Sequence, residues 1–302
     1  MAVAPRTDRR PAITGDSHKL TGSLRALAVL ERLAAATEPL TLTDLARSID
    51  APRPTIHSML SALVDDGWVT VEGKPKRYRA AWRVAALGLT VARNSHVRRV
   101  ALQAAIDLAR VLRLSTGISF YDSGYAVYTD TVDVPGEQVL PHVEGMRVPA
   151  AVSANGRLML AFQPESEVQH ALSLDLPHFT NHTIRDPNAI LAALTQIRDR
   201  GYDVGDREFS TRFSWVSVPI GAGDDPVASV LSVAFRGAAT DESVERLLGP
   251  AFESAHYASN LLGFQAGASS APPQGQHRLQ PGPGRTPDRP GLAHEVNVGG
   301  GV

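Results

Sequence analysis

The spacing of apolar residues in the first part of the chain predicts three short helices. Apolar side chains recur at helical spacing from Ser23 to Ala36, with charged residues on the opposite face. A second helix is predicted to start at Thr41, an N-cap residue with Asp44 three positions later, and to end near Asp50. Pro52 is expected in the first turn of a third helix. The buried stripe of that helix would consist of Ile56, Met59, Leu60 and Leu63.

A hairpin follows these helices. Residues 68–71 favour a strand, 72–76 a turn and 77–79 a returning strand. Three helices followed by a hairpin is the element order of a winged helix-turn-helix. Residues 81–113 then predict a long helical stretch with a break near 94–96, whose first half would link two domains.

Beyond residue 116 the pattern mixes strands and helices. Strands are predicted at 117–121, 126–132, near 139–143, at 215–220 and at 227–235. Helices are predicted at 153–162, 165–173, 187–200 and about 241–262. Turns join neighbouring strands, so we expect an α+β domain built on an antiparallel sheet.

Length and composition divide the chain into segments. A chain of 302 residues can form about two domains. The C-terminal 38 residues hold 8 Gly and 6 Pro with few large apolar side chains, and both ends are expected to be disordered. The expected segments are a disordered 1–18, a winged helix-turn-helix at 19–81, a linker helix at 82–97, an effector-binding domain at 98–264 and a disordered tail at 265–302.

The charge distribution separates a basic first third from an acidic remainder. Residues 1–99 carry 16 Lys+Arg against 9 Asp+Glu, whereas residues 100–302 carry 14 against 22. A basic module of this kind suits contact with phosphates. The absence of cysteine excludes disulfides and thiolate sites, and no apolar run suffices for a membrane span or a secretory signal. We therefore expect a cytoplasmic location.

The third helix and the hairpin carry the candidate nucleic-acid contacts. In a helix-turn-helix the third helix enters the major groove, where polar side chains reach base edges and phosphates. Here its polar face offers Arg53, Thr55, His57, Ser58 and Ser61. The hairpin tip adds Lys74, Lys76 and Arg77, which could reach phosphates or a minor groove. The alternative interpretation is a solvated face, or a winged helix that binds a protein partner.

Catalytic signals are weak by comparison. We find no nucleophile elbow, no phosphate-binding Gly-rich loop and no persuasive carboxylate pair, so neither an enzyme activity nor a cofactor is expected. His178 and His182 lie four residues apart, but the intervening residues predict a loop, and no metal site is expected. An enzyme and a protein-interaction module without specific DNA binding remain as alternatives to a regulator.

Several sequence blocks resemble the IclR family of transcriptional regulators over about residues 20–263. Residues 23–30 match the opening helix of that family, and residues 42–46 and 52–57 match its helix-turn-helix. Asp66-Gly67-Trp68-Val69 leads into the wing. In the second half, Thr183-Ile184-Arg185-Asp186-Pro187 is followed by the blocks 200–204 and 216–220 in the expected order.

The resemblance implies a GAF-like effector domain and a homodimer, or a dimer of dimers, on double-stranded operator DNA. The effector would be a small organic acid, with an aromatic acid suggested by Trp215, and the expected function is repression of catabolic genes. The implied DNA contacts include Thr43 besides the residues above. The implied effector site consists of Leu140, Ala154, Asn155, Gly156, Asp206, Trp215, Ser232 and Ala234.

Three positions depart from the family pattern. Trp215 stands where many members have cysteine, Gly205 where an acidic residue is frequent, and Pro54 where Ser or Thr is common. The first two changes predict an altered pocket. The third removes a hydroxyl and an N–H that could reach a phosphate, and so predicts a different operator sequence.

Overall fold

The computed structural model describes residues 22–134 and 144–264, and the structural findings concern these residues. The first helices are α1 (Gly22–Ala35), α2 (Leu42–Ile49) and α3 (Arg53–Asp65). Strand β1 (Leu40–Thr41) precedes α2, and β2 (Val69–Glu72) and β3 (Arg77–Ala80) follow α3. The strands form an antiparallel sheet in the order β1-β3-β2. The winged helix-turn-helix is confirmed, with β1 as an additional strand.

The caps of α2 and α3 follow from their sequences. The Thr41 hydroxyl accepts a 3.2 Å hydrogen bond from the N–H of Asp44, whose carboxylate accepts one of 3.0 Å from the N–H of Thr41. This is the predicted capping box. Pro52 is the N-cap of α3 and not a first-turn residue, so its predicted placement was wrong by one position. Pro54 instead lies in the first turn, where the helix needs no N–H donor.

The core of this small domain lies between the three helices and the wing. Val29 and Leu33 of α1 pack with Leu45 of α2 and Ile56 of α3. Tyr78 of β3 closes the core from the sheet side. Because these apolar side chains face inward, the opposite face of α3 lies in solvent.

The helical stretch after the wing breaks where predicted. Helix α4 (Trp82–Asn94) ends at Ser95, whose hydroxyl caps α5 (His96–Leu112) by accepting a 3.1 Å hydrogen bond from the N–H of Arg98. None of the residues of α4 is buried, whereas α5 buries Leu108 and four alanines against the second domain. Helix α4 therefore acts as a connector, and α5 is part of the domain that follows.

The second domain contains a six-stranded antiparallel sheet in the order β6-β5-β4-β9-β8-β7. Its strands are β4 (Thr116–Asp122), β5 (Tyr125–Val132), β6 (Met146–Pro149), β7 (Asp203–Ser210), β8 (Phe213–Ala222) and β9 (Asp225–Arg236). Its remaining helices are a 3₁₀ turn (Ala150–Val152), α6 (Ala154–Leu160), α7 (Glu165–Ser173), α8 (Pro187–Arg200) and α9 (Asp241–Leu261).

Most predicted elements of this domain are confirmed to within a few residues. Strands β6 and β7 were not predicted. The strand expected near 139–143 and the expected disordered ends at 1–18 and 265–302 fall outside the described residues. Within the described ranges, no helix combines the length and apolar character needed to cross a membrane.

The two faces of the sheet differ in polarity. Val216 and Val218 of β8 and Val233 of β9 pack towards α5 and α9 in one apolar core. Side chains alternate between faces along a strand, so Ser217 and Ser232 point to the other side, where α6 lies. The sheet thus separates an apolar layer from a layer that contains buried polar groups.

Candidate nucleic-acid interface and buried pocket

The outward face of α3 presents the predicted polar side chains to solvent. Arg53, His57 and Ser58 are exposed, and Arg53 and His57 lie one turn apart on the same face. Thr55 is half-buried, next to the buried Ile56. An exposed helix face with a guanidinium, an imidazole and a hydroxyl can donate to base edges and to phosphate oxygens.

The three cations of the wing differ in their positions and hydrogen-bond partners. Lys74 and Lys76 are exposed in the turn between β2 and β3. Arg77 is also exposed, but it belongs to β3, and its Nη1 donates a 3.4 Å hydrogen bond to the carbonyl of Pro39. The predicted Thr43 is half-buried in the first turn of α2. The two lysines are thus more available than Arg77 for a phosphate.

A small, partly open cavity of about 20 Å³ lies between α6 and the polar face of the large sheet. Its lining consists of Tyr128, Ser153, Ala154, Asn155, Gly205, Glu208, Phe209 and Trp215. Three of these residues, Ala154, Asn155 and Trp215, belong to the predicted effector site. The cavity has room for about one water molecule. A small-molecule site usually needs several hundred Å³, so a ligand must widen the cavity.

Asn155 connects α6 to three strands beneath the cavity. Its Nδ2 donates to the Ser119 hydroxyl at 3.1 Å and to the Ser232 hydroxyl at 3.2 Å. Its Oδ1 accepts a 2.6 Å hydrogen bond from the hydroxyl of Ser217. A buried amide that is bonded on both ends fixes the position of the helix start over the sheet. The predicted Ser232 contacts Asn155 and is not among the residues that line the cavity.

The other predicted effector residues surround the cavity without lining it. Gly156 packs so closely on the backbone of Ala150 that an added Cβ would overlap it. Asp206 accepts a 2.9 Å hydrogen bond from the N–H of Ala239, at one edge of the sheet. Ala234 is buried in a small cluster with Phe213 and Trp215. Leu140 lies outside the described residues.

A buried ion cluster adjoins the cavity. The Arg157 guanidinium, 1 % exposed, donates from Nε to Asp203 at 2.9 Å and from Nη2 to Glu208 at 3.1 Å. Its Nη1 lies 2.8 Å from Oε2 of Glu208. Asp203 also accepts a hydrogen bond from Arg200 at the end of α8. Buried charges of this kind are tolerated because each has an opposite partner.

An irregularity in β7 brings both carboxylates to Arg157. Asp203 and Glu208 are five residues apart, so a regular strand would direct them to opposite faces. The register of β7 against β8 shifts between Gly205 and Ser210, and Arg207 has a φ of 55°. This bulge reverses the alternation and directs Glu208 to the face that carries Asp203.

Burial controls the titration of the lining groups. Burial raises the pKa of the Glu208 carboxyl to about 7, although Arg157 beside it lowers that pKa. Burial also raises the pKa of Tyr128 to about 12. Near neutral pH, Glu208 can therefore exist with or without its proton, whereas Tyr128 keeps its own.

Sequence reasoning did not single out Tyr128, Ser153, Glu208 and Phe209 for this cavity. Glu208 lies in a strand that the sequence pattern did not indicate, and its partner Arg157 is 51 residues distant along the chain. No local spacing signals such a pair. Among the described residues, no group of three or more His, Cys, Asp or Glu residues is arranged to hold a metal ion.

Comparison with protein families matches both parts of the chain. Residues 24–73 match the IclR helix-turn-helix domain. Residues 89–259 match the C-terminal domain of bacterial transcriptional regulators of the IclR type. The second match alone covers more than half of the chain.

Individual proteins show the same relationship. The chain is 29 % identical over 208 residues to the "Probable transcriptional regulator SauR" of Cupriavidus necator, covering 68 % of this chain and 81 % of that protein. A crystal structure of an IclR transcriptional regulator from Alicyclobacillus acidocaldarius is similar with a TM-score of 0.68 and 25 % identity, covering 79 % and 97 % of the two chains. An IclR homologue from Microbacterium hydrocarbonoxydans, complexed with 4-hydroxybenzoate, has the same fold (TM-score 0.67, 21 % identity, 80 % and 99 % coverage).

Proposed function

The chain belongs to the IclR family and is a DNA-binding transcriptional regulator, and on this premise we propose that α3 and the wing bind operator DNA. The observation that carries the proposal is the exposed pair Arg53 and His57 on the outer face of α3. These two side chains would contact bases, with Thr55 and Ser58 beside them. Lys74, Lys76, Arg77 and Thr43 would contact phosphates and set the position of the helix in the groove.

The cavity above Asn155 is the proposed effector site. Aromatic side chains surround it, and the IclR homologue with bound 4-hydroxybenzoate supports a small aromatic acid as the ligand class. Ala154, Asn155 and Trp215 would contact the ligand, while Gly156, Asp206, Ser232 and Ala234 shape the surroundings. Because the cavity is small, we expect a ligand to displace lining side chains, with Phe209 and Trp215 as the first candidates. That movement would favour one arrangement of the DNA-binding domains over another and relieve repression of catabolic genes.

The protein would act in the cytoplasm as a homodimer or a dimer of dimers on a two-fold symmetric operator. Exposed apolar side chains support self-association. They are Leu24 and Leu27 of α1 and Trp82, Leu87, Leu89 and Val91 of α4, with Trp82 88 % exposed. Apolar exposure of this extent is typical of an interface. The proposed segments are a DNA-binding domain at 19–81, a linker at 82–97 and an effector domain at 98–264.

Selection of bound fragments from the genome of the source organism tests the DNA proposal. Purified protein should recover a limited set of fragments, and footprinting should locate a two-fold symmetric site in them. The double variant Arg53→Ala/His57→Ala should recover no preferred sequence. Recovery of random fragments by the wild-type protein would instead favour a winged helix that binds a protein partner.

A further inference from the structure

The charge of the cavity wall is opposite to what an acid ligand would need. Among the described lining residues, Glu208 carries the one carboxyl group, and the lining contains no cation. Arg157 is not among the lining residues, and its guanidinium lies between Asp203 and Glu208. An acid that enters the cavity therefore meets a carboxylate before it can interact with a guanidinium.

Two carboxyl groups in contact cannot both remain ionised. Like charges that share one site raise the pKa of one partner until it keeps its proton. The charged groups that act on the pKa of Glu208 are Arg157 on α6 and Asp203 and Asp206 on β7, and Glu208 in turn raises the pKa of Tyr128 on β5. Arg200 is a second cation in this group and forms an ion pair with Asp203. The cluster formed by Arg157, Arg200, Asp203 and Glu208 has a formal charge of zero.

We propose that the pocket takes up an acid effector together with one proton, which is shared between the ligand carboxyl and Glu208. This inference rests on the proposed function, in which the effector is a small organic acid. The proton comes from solvent, so the ligand charge and the proton charge cancel and the cluster stays neutral. Once Glu208 is protonated, it no longer balances the positive charge of Arg157. The Arg157 guanidinium then interacts with the ligand carboxyl instead.

The arrangement has a direct consequence for affinity. The pKa of Glu208 is already raised to about 7 by burial, so little free energy is needed to protonate it at or below neutral pH. Above that pH, each additional unit should weaken the binding of an acid about tenfold, because one proton is bound per ligand. A neutral isostere of the same shape should show no such dependence.

Calorimetry with 4-hydroxybenzoate and 4-hydroxybenzamide tests the proposal on the full chain. Titrations in two buffers of different ionisation enthalpy, at about pH 6 and about pH 8, count the protons taken up per ligand. The acid should take up close to one proton at the higher pH and close to none at the lower pH. The amide should take up none at either pH.

Two variants complete the test. Glu208→Gln should bind the acid without proton uptake, whereas the control Glu253→Gln, an exposed carboxylate on α9, should behave like the wild-type protein. Acid binding by the wild-type protein without proton uptake would overturn the inference and leave the proposed function intact. If DNA binding persists but the acid does not bind at any pH, both the acid effector and the inference are overturned.

Discussion

The Asp130 carboxylate accepts a 2.9 Å hydrogen bond from Nε of Arg98, and this pair joins strand β5 to the first turn of α5. Tyr128, two residues before Asp130, lines the cavity. Arg98 lies three residues after Ser95, where α4 ends. The pair therefore joins the strand that carries one wall residue of the proposed effector site to the start of α5, the helix that follows the connector.

Removing this pair should reduce the communication between the two domains. We expect Arg98→Met to lower the effect of an acid on DNA affinity to less than about 3-fold, from the roughly 5- to 150-fold that is typical of coupled sites. Anisotropy titrations with and without 4-hydroxybenzoate measure this ratio. Arg110→Met removes an exposed cation of the same helix and should leave the ratio unchanged. An unaltered ratio in Arg98→Met would show that the pair is structural.

Charge reversal in the wing should weaken DNA binding regardless of sequence. Lys74→Glu/Lys76→Glu changes two exposed cations that we propose to lie near phosphates. The slope of log affinity against log salt concentration should fall by about 2, because roughly one counterion is released per phosphate contact. Arg110→Glu/Arg246→Glu is the control, because it changes the net charge by the same amount at exposed positions of α5 and α9. Equal slopes in the double variant and the control would remove the wing from the interface.

The outer face of α3 should determine sequence preference. His57→Ala alters an exposed side chain, so the fold should be retained. Discrimination between the selected duplex and a scrambled one should fall by about 1–3 kcal/mol, the value of a good base contact. Competition binding measures it, with Asp65→Ala at the far end of the helix as the control. Unchanged discrimination would place His57 outside the base contacts.

Gly156 is required by packing. A Cβ at this position would lie closer than 3.0 Å to three backbone atoms of Ala150, and backbone cannot yield as a side chain can. Gly156→Ala should destabilise the second domain by about 3 kcal/mol or more. Gly88→Ala in the exposed interior of α4 meets nothing within 4 Å and should stabilise by about 0.5–1 kcal/mol. Chemical unfolding compares the two variants, and equal stability would contradict the close approach.

The Glu208 carboxyl should make stability depend on pH. Burial raises its folded-state pKa from 4.5 to about 7, so between these values the native state holds a proton that the unfolded state releases. The free energy of unfolding should therefore fall as pH rises from about 4.5 to about 7 and then level off. Relative to Glu208→Gln, the total change should be on the order of 3 kcal/mol. Parallel profiles for the two proteins would place the titration elsewhere.

Elements that depend on local signals could be predicted from the sequence. The Thr41 capping box and the break at Ser95 depend on residues close together in the chain, and the structure has both. Strand β7 could not be predicted, because Asp203 and Glu208 are polar and their stabilising partner Arg157 comes from another element. The bulge at Arg207 also interrupts the alternation of side chains that would indicate a strand. Tertiary pairing of this kind overrides local preference.

The two candidate sites also differ in how far the sequence predicts them. The exposed residues of α3 and the wing follow from helical spacing and turn chemistry, which are local properties. The cavity is assembled from four separate segments of the chain, around Tyr128, Asn155, Glu208 and Trp215. The resemblance to a family indicated two of these residues, but the charged wall formed by Glu208 required the structure.

Equilibrium anisotropy with the selected duplex and a scrambled duplex measures the sequence preference of the protein and its response to an acid in one experiment. The wild-type protein should bind the selected duplex at least about 1,000-fold more tightly, and added salt should weaken that binding. Adding 4-hydroxybenzoate should reduce the affinity for the selected duplex. Equal affinity for the two duplexes, or an affinity that no acid alters, would contradict a DNA-binding regulator controlled through this pocket.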